Sequence, residues 1–226
     1  MSSFTTIPLQ YAEATAVFDI GSSADIDVAS RVRAATLDQF RSPIPLVRIG
    51  EVAGYSPLVA LESQPTLLVE NDEHATALGI HPDGITVRWG SGAGSQYPGY
   101  EFMRASLVAA CEGSGLVVGS VRITYRVVQP REDMTVGDLI QAFWVAGIGQ
   151  ENVLHESITN YRMPSGVDYR ISALNLVSGL MVGSDGGLHV EDNNVEGSLD
   201  LLHEAMVNEF ATLITPRAKE LWGFQE

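Results

Sequence analysis

Hydrophobic residues recur at every second position in some stretches and at every third or fourth in others, and the change of period marks the elements. Val121, Ile123, Tyr125 and Val127 alternate with Arg122, Thr124 and Arg126, which predicts a strand over residues 121–128 with one buried face. Residues 11–20 read as the first strand, and 85–89 as another behind the turn Pro82-Asp83-Gly84. Extended pieces are predicted around 46–52 and 66–70. Segments 153–163, 169–177, 180–182 and 188–191 predict an antiparallel meander, with turns at Pro164-Ser165-Gly166 and Asp185-Gly186-Gly187.

Three longer segments carry the helical period. The first is capped by Ser22 or Ser23, holds Asp25 and Asp27 in its first turn, and buries Ile26, Ala29, Val32, Leu37 and Phe40, with Arg41 at its end and Pro43 and Pro45 preventing its continuation. The second begins at Tyr97-Pro98, presents Tyr100, Met103, Leu107 and Ala110, and closes at Gly113. The third begins near Ser198 and carries Leu199, Leu202, Met206, Phe210 and Leu213. A short helix is expected near 135–144, and Thr215-Pro216 restarts a terminal one that docks Leu221 and Trp222 and ends at Gly223. The expected fold class is α+β: curved antiparallel sheet, each part covered by a long helix. The chain reads as one compact unit over 1–226, with two similar fused halves, 1–114 and 115–226, as the finer expectation.

Composition narrows the function classes. The 226 residues include 13 Lys plus Arg against 28 Asp plus Glu, a net charge of −15, so a nucleic-acid partner is not expected. With 45% hydrophobic and 18% charged residues the chain is globular rather than disordered. No run of about 18 apolar residues occurs, and the N-terminus lacks the basic start and apolar stretch of a secretory signal, so no membrane association and a cytoplasmic location are expected. Cys111 is the single cysteine, so neither an internal disulfide nor a thiolate metal site is expected.

Candidate chemistry is sparse. Gly90-Ser91-Gly92-Ala93-Gly94 sits between a strand and a helix but has neither a Walker lysine nor dinucleotide spacing. His155-Glu156 and His203-Glu204 lack a second histidine four positions after the first. Asp185, His189, Glu191 and Asp192 would be the residues of a metal-dependent hydrolase, the weakest reading, because their spacing fits no calcium loop. No catalytic residue, metal site or cofactor is therefore expected, and ionisable groups read as too scattered for a reaction centre. Arg88, Arg122, Arg126, Arg162 and Arg170 lie on strands whose shared sheet would let their guanidinium groups grip a carboxylate or phosphate, with the first four as the candidate ligand-binding residues.

The segment 85–89, Tyr97-Pro98-Gly99-Tyr100-Glu101, Val121-Arg122-Ile123-Thr124-Tyr125, Leu202-His203-Glu204, Phe210, Ile214-Thr215 and Leu221-Trp222-Gly223 together resemble an uncharacterised, sporadically distributed bacterial protein family of about this length. The likeness spans most of the chain and departs at Arg126-Val127-Val128, where members usually carry a more basic or asparagine-containing strand. The resemblance implies no activity, cofactor or catalytic residue. The leading expectation is a non-enzymatic protein that associates with another protein or with itself, as part of an accessory module, through Leu221, Trp222 and Phe224. The competing expectation is a receptor for a small anionic ligand, held between helix and sheet by the arginines.

Overall fold

The computed structural model describes residues 3–4, 7–43, 67–71, 73, 75–91, 96–130, 135–141, 156–176 and 179–225. One antiparallel sheet dominates. Its strands are β2 (Leu9–Phe18), β3 (Ser42–Pro43), β4 (Leu67–Asn71), β5 (Thr76–His81), β6 (Gly84–Gly90), β7 (Val118–Pro130), β8 (Glu156–Arg162), β9 (Asp168–Leu176) and β10 (Gly179–His189). They lie in the order β3-β4-β5-β6-β2-β7-β10-β9-β8, and among the described residues the sheet does not close on itself. A separate two-stranded ladder pairs β1 (Ser3–Phe4) with β11 (Phe224–Gln225). Apart from β3 at one edge, the order is symmetric about the β2–β7 pair: β6, β5 and β4 run outward on one side as β10, β9 and β8 do on the other.

Helix α1 (Ile26–Ala35) lies against α2 (Tyr100–Ser114); α2 contacts β2 and β6, and α4 (Val195–Leu213) contacts β7 and β10. The apolar layer between them uses the alternate residues of the central strands: Ala12, Ala14 and Ala16 of β2, Ile85, Val87 and Trp89 of β6, and Val121, Ile123 and Val127 of β7, all buried. Three alanines on β2 keep the middle of this face low, so a helix approaches closely without overpacking. Short helices α3 (Val136–Leu139) and α5 (Pro216–Leu221) pack together at the far end of α4.

The terminal restart occurs where expected: the Thr215 side chain caps α5 by accepting from Ala218 N–H, with Pro216 at the first turn, a cap worth about 1 kcal/mol. Elsewhere the helix ends move. Asp25, not Ser22 or Ser23, caps α1, accepting from the N–H groups of Asp27 and Val28. The helix stops before Thr36, which leaves Leu37 exposed and Phe40 buried beyond its end; Ile26, at its first position, is exposed as well. Gly99 rather than Tyr97 precedes the first turn of α2, and Gly115, in the left-handed conformation at φ 67°, ends it. Gly113 instead lies against Ala35 of α1. Helix α4 begins three residues before Ser198, capped by Asn194 accepting from Gly197 N–H.

Two strand expectations also change. Residues 76–81 form β5, a strand the alternation did not show because Gly79 and the buried His81 interrupt it. Asp185-Gly186-Gly187 is not a turn: β10 runs unbroken through it. Asp185 is held there by Arg126 and Thr124. Gly186 lets α4 close down, since a Cβ there would sit 2.8 Å from Met206 Cγ and 2.9 Å from Leu202 Cδ1. The segments expected at 46–52, 66 and 153–155, and the parts of the expected elements and loop at 92–95, 142–144 and 177, fall outside the described residues. Among the described residues no helix is long and apolar enough to cross a membrane.

Candidate functional site

Between the sheet and the helices, the apolar layer leaves a cavity of about 220 Å³. Val127 of β7, Val182 of β10, Ile7 and Leu9 form its apolar floor; Met206, Val207 and Phe210 descend from α4. Its polar groups are Tyr97, Tyr100, Tyr125, His203 and Ser184. Period two on β7 and β10 explains the placement, because Tyr125 and Val127 pair with Ser184 and Val182 in register and all four point to the helix side. His203 lies one position after Leu202 and three before Met206 on α4, hence at the margin of that helix's apolar stripe.

Tyr97, Tyr100, Tyr125 and His203 form one connected set. The Tyr97 hydroxyl bonds to that of Tyr125, and the Tyr125 hydroxyl lies 3.1 Å from His203 Nδ1. The Tyr100 ring stacks on the imidazole at 3.7 Å and 9°, and its hydroxyl donates to Asp200 at 3.0 Å. Ser184 shares a 2.9 Å hydrogen bond with the Tyr169 hydroxyl. Outside this set Arg104 joins α2 to α4, bonding Glu101 at 2.6 Å, Glu196, and Asp200 at 3.5 Å.

Burial sets the protonation of these groups. It lowers His203 to about 4, against the smaller opposing pull of Asp200 and Glu101, so the imidazole is neutral near pH 7. Burial also pushes Tyr97 up to about 12 and Tyr125 well above the ordinary tyrosine range. The cavity wall thus carries hydroxyl and imidazole dipoles but no net charge, and favours neutral ligands over ions on desolvation grounds.

The arginines singled out from the sequence are elsewhere. Arg88, Arg122 and Arg126 do share one sheet face, but it is the face opposite the helices, so they do not line the cavity. Arg88 pairs with Glu13 at 2.9 Å and Arg126 with Asp185 at 2.8 Å. Glu13, Arg126 and Asp185 are all buried. Tyr11 and Thr15 also donate to Glu13. Ionisable groups that are scattered in sequence are therefore brought together on this face, contrary to the expectation that they stay apart. Arg162 lies on the same face by register but at the edge strand β8, 70% exposed, with Asp168 at 3.7 Å.

The terminal aromatics divide. Trp222 is fully buried, stacked on Phe210 at 5.9 Å, with its indole N–H donating to Gln129 at 3.0 Å. Leu221 is exposed, and Phe224 is half-buried beneath the Lys219 ammonium. Cys111 is buried, and burial raises its thiol to about 12. Asp185 sits inside with Arg126, whereas His189, Glu191 and Asp192 are exposed, so the four do not assemble. Among the described residues no group of three His, Cys, Asp or Glu is placed to hold a metal ion.

Sequence reading missed the cavity. Tyr97 was visible only as a helix start, Tyr100 as an apolar-face residue, and His203 as part of an incomplete zinc-protease pattern; the pairing of Tyr125 with Ser184 is a matter of register. No protein-family model and no curated protein matches the chain.

Proposed function

We propose that the protein is a non-enzymatic receptor for a small neutral ligand with an apolar body and one hydrogen-bonding end. The carrying observation is the cavity of about 220 Å³ in which Tyr125, Tyr97, His203 and Ser184 meet an otherwise aliphatic and aromatic wall. This is the usual composition of a ligand pocket: much apolar area and a few convergent polar groups. The ligand's body rests on Val127, Val182, Met206 and Phe210, and its polar end bonds the Tyr125–His203 pair. The anionic ligand expected from the arginines does not suit this cavity, whose wall is uncharged near neutral pH. Protein association, the leading expectation from the sequence, is less well supported because Trp222 is turned into the core.

The same reading takes the chain as two fused halves, each a four-strand array with its long helix gripping a curved half-sheet. The symmetric strand order and the matching contacts of α2 and α4 support it. On the residues quoted above, we place the chain beside the sporadic bacterial family it resembles, a grouping that brings no activity with it.

Thermal unfolding with p-cresol, indole and 2-naphthol tests the receptor. At a hundredfold excess over Kd a bound probe adds about 2.7 kcal/mol, a readable rise in Tm. Val182→Phe, which fills the cavity, is expected to abolish the rise. The reading fails if none of the three probes raises Tm, or if the rise persists in the filled variant.

A further inference from the structure

The opposite face of the same strands holds a second, different environment. Strand β10 presents Gly183, Asp185 and Gly187 to it in alternation, opposite Arg126, Thr124 and Arg122 of β7 and opposite Ser172, Arg170 and Asp168 of β9. The two glycines leave Asp185 standing alone on β10, in a trough between Arg122 and Arg126 on one side and Arg170 and Ser172 on the other. The closeness is measurable: a Cβ on Gly183 would lie 2.5 Å from Ser172 Oγ and 3.1 Å from the Arg126 guanidinium carbon.

The trough contains unsatisfied polar atoms. Asp185 uses only Oδ1, which accepts from Arg126 at 2.8 Å and from Thr124 at 2.8 Å. Its Oδ2, Arg170 Nε and Ser172 Oγ are buried and have no hydrogen-bond partner among the described residues, although Asp185 is 5% and Ser172 2% exposed. Buried polar atoms are nearly always paired, and three orphans on adjacent strands point to a shared partner. Charge points the same way. Among the described residues the Arg122 and Arg170 guanidinium groups have no carboxylate within ion-pair distance, while Arg88 and Arg126 are each matched to one.

We propose that this trough binds a small oxyanion that carries its own hydroxyl, such as an α-hydroxycarboxylate or hydrogen phosphate. The anionic oxygens accept from Arg170 Nε and from Arg122, as guanidinium groups hold planar oxyanions. The ligand's hydroxyl donates to Asp185 Oδ2, and Ser172 takes the remaining lone pair. An anion without a hydroxyl gives Asp185 no donor and meets its charge at close range, so the buried carboxylate selects between the two kinds.

Isothermal titration at constant ionic strength, pH 7.5, with glycolate, acetate, inorganic phosphate and sulfate tests this selection. Glycolate is expected to bind about tenfold or more tightly than acetate, or phosphate than sulfate, the loss of one charge-assisted hydrogen bond. The pair that shows the difference assigns the natural ligand to the carboxylates or the phosphates. Arg122→Gln and Arg170→Gln are each expected to weaken binding about tenfold. Neither residue is matched to a carboxylate, so neither variant strands a buried charge, and urea unfolding verifies the fold. Arg162→Gln is expected to change nothing. The proposal is overturned if none of the four anions binds, if the hydroxyl makes no difference in either pair, or if both arginine variants bind as the parent does. A crystal structure grown in glycolate that shows one water bridging Asp185 Oδ2, Arg170 Nε and Ser172 Oγ would overturn it equally.

Discussion

The two faces of the β7–β10 pair are built from the same residues taken alternately, yet they are chemically opposite. Toward the helices the strands offer Tyr125, Val127, Val182 and Ser184; away from them they offer Thr124, Arg126, Gly183 and Asp185. Both faces are largely buried. On the helix side burial is favourable in itself, and the polar groups are dipoles that bond one another. On the far side burial has taken Glu13, Arg126 and Asp185 out of water, a cost offset because each of the three meets an opposite charge. A sheet buried on both faces need not be apolar on both.

The largest effect expected from this contrast is on the far face. Arg126→Met leaves Asp185 buried without its partner and should cost about 3–5 kcal/mol in urea unfolding. The double variant Arg126→Met with Asp185→Leu should recover most of that loss, because the cost arises from the unpaired charge rather than from the missing bond; a double variant as weak as the single one would contradict this account.

Next comes pH on the helix side. His203 titrates near 4 in the native state against 6.5 in its ordinary state. Between those values only the unfolded chain takes the proton, so the stability this residue confers is complete above pH 6.5 and is lost as pH falls to 4. The loss is on the order of 3 kcal/mol. His203→Phe keeps a ring against Tyr100 and should flatten that part of the curve, measured as the difference between variant and parent from pH 7 to 4.

Smaller effects sharpen the comparison further. Gly186→Ala pushes into Met206 and Leu202 and should destabilise by about 1–3 kcal/mol, as overpacked cores do; an unchanged midpoint would mean that α4 shifts without cost. Tyr125→Phe removes the hydroxyl between Tyr97 and His203 and should cost about 1 kcal/mol, with a weaker response to the phenolic probes. Smallest is Arg162→Gln, whose exposed 3.7 Å pair should be worth less than about 0.5 kcal/mol in the same assay.

Much of the fold was legible because the relevant signals are local. Alternation over Val121–Val127, the stripe Leu199–Leu202–Met206–Phe210 and the Thr215-Pro216 start are each written within a few residues and reappear as β7, α4 and α5. Asp185-Gly186-Gly187 misled because its composition is that of a turn, while a buried ion pair and a close helix hold it extended. The candidate site was less legible still. Tyr97, Tyr125 and His203 are far apart in sequence and meet only because β7 pairs with β10 in one register and α4 crosses above them.

The sequence by itself determined the period of most elements, the mixed α and antiparallel β class, and the presence of five arginines on alternating strands. Only the tertiary structure decided which face those arginines share, which carboxylates they meet and where a cavity remains. Periodicity is a property of neighbouring residues, whereas burial and charge pairing depend on groups that chain closure brings together from 50 or more positions apart, as with Arg126 and Asp185.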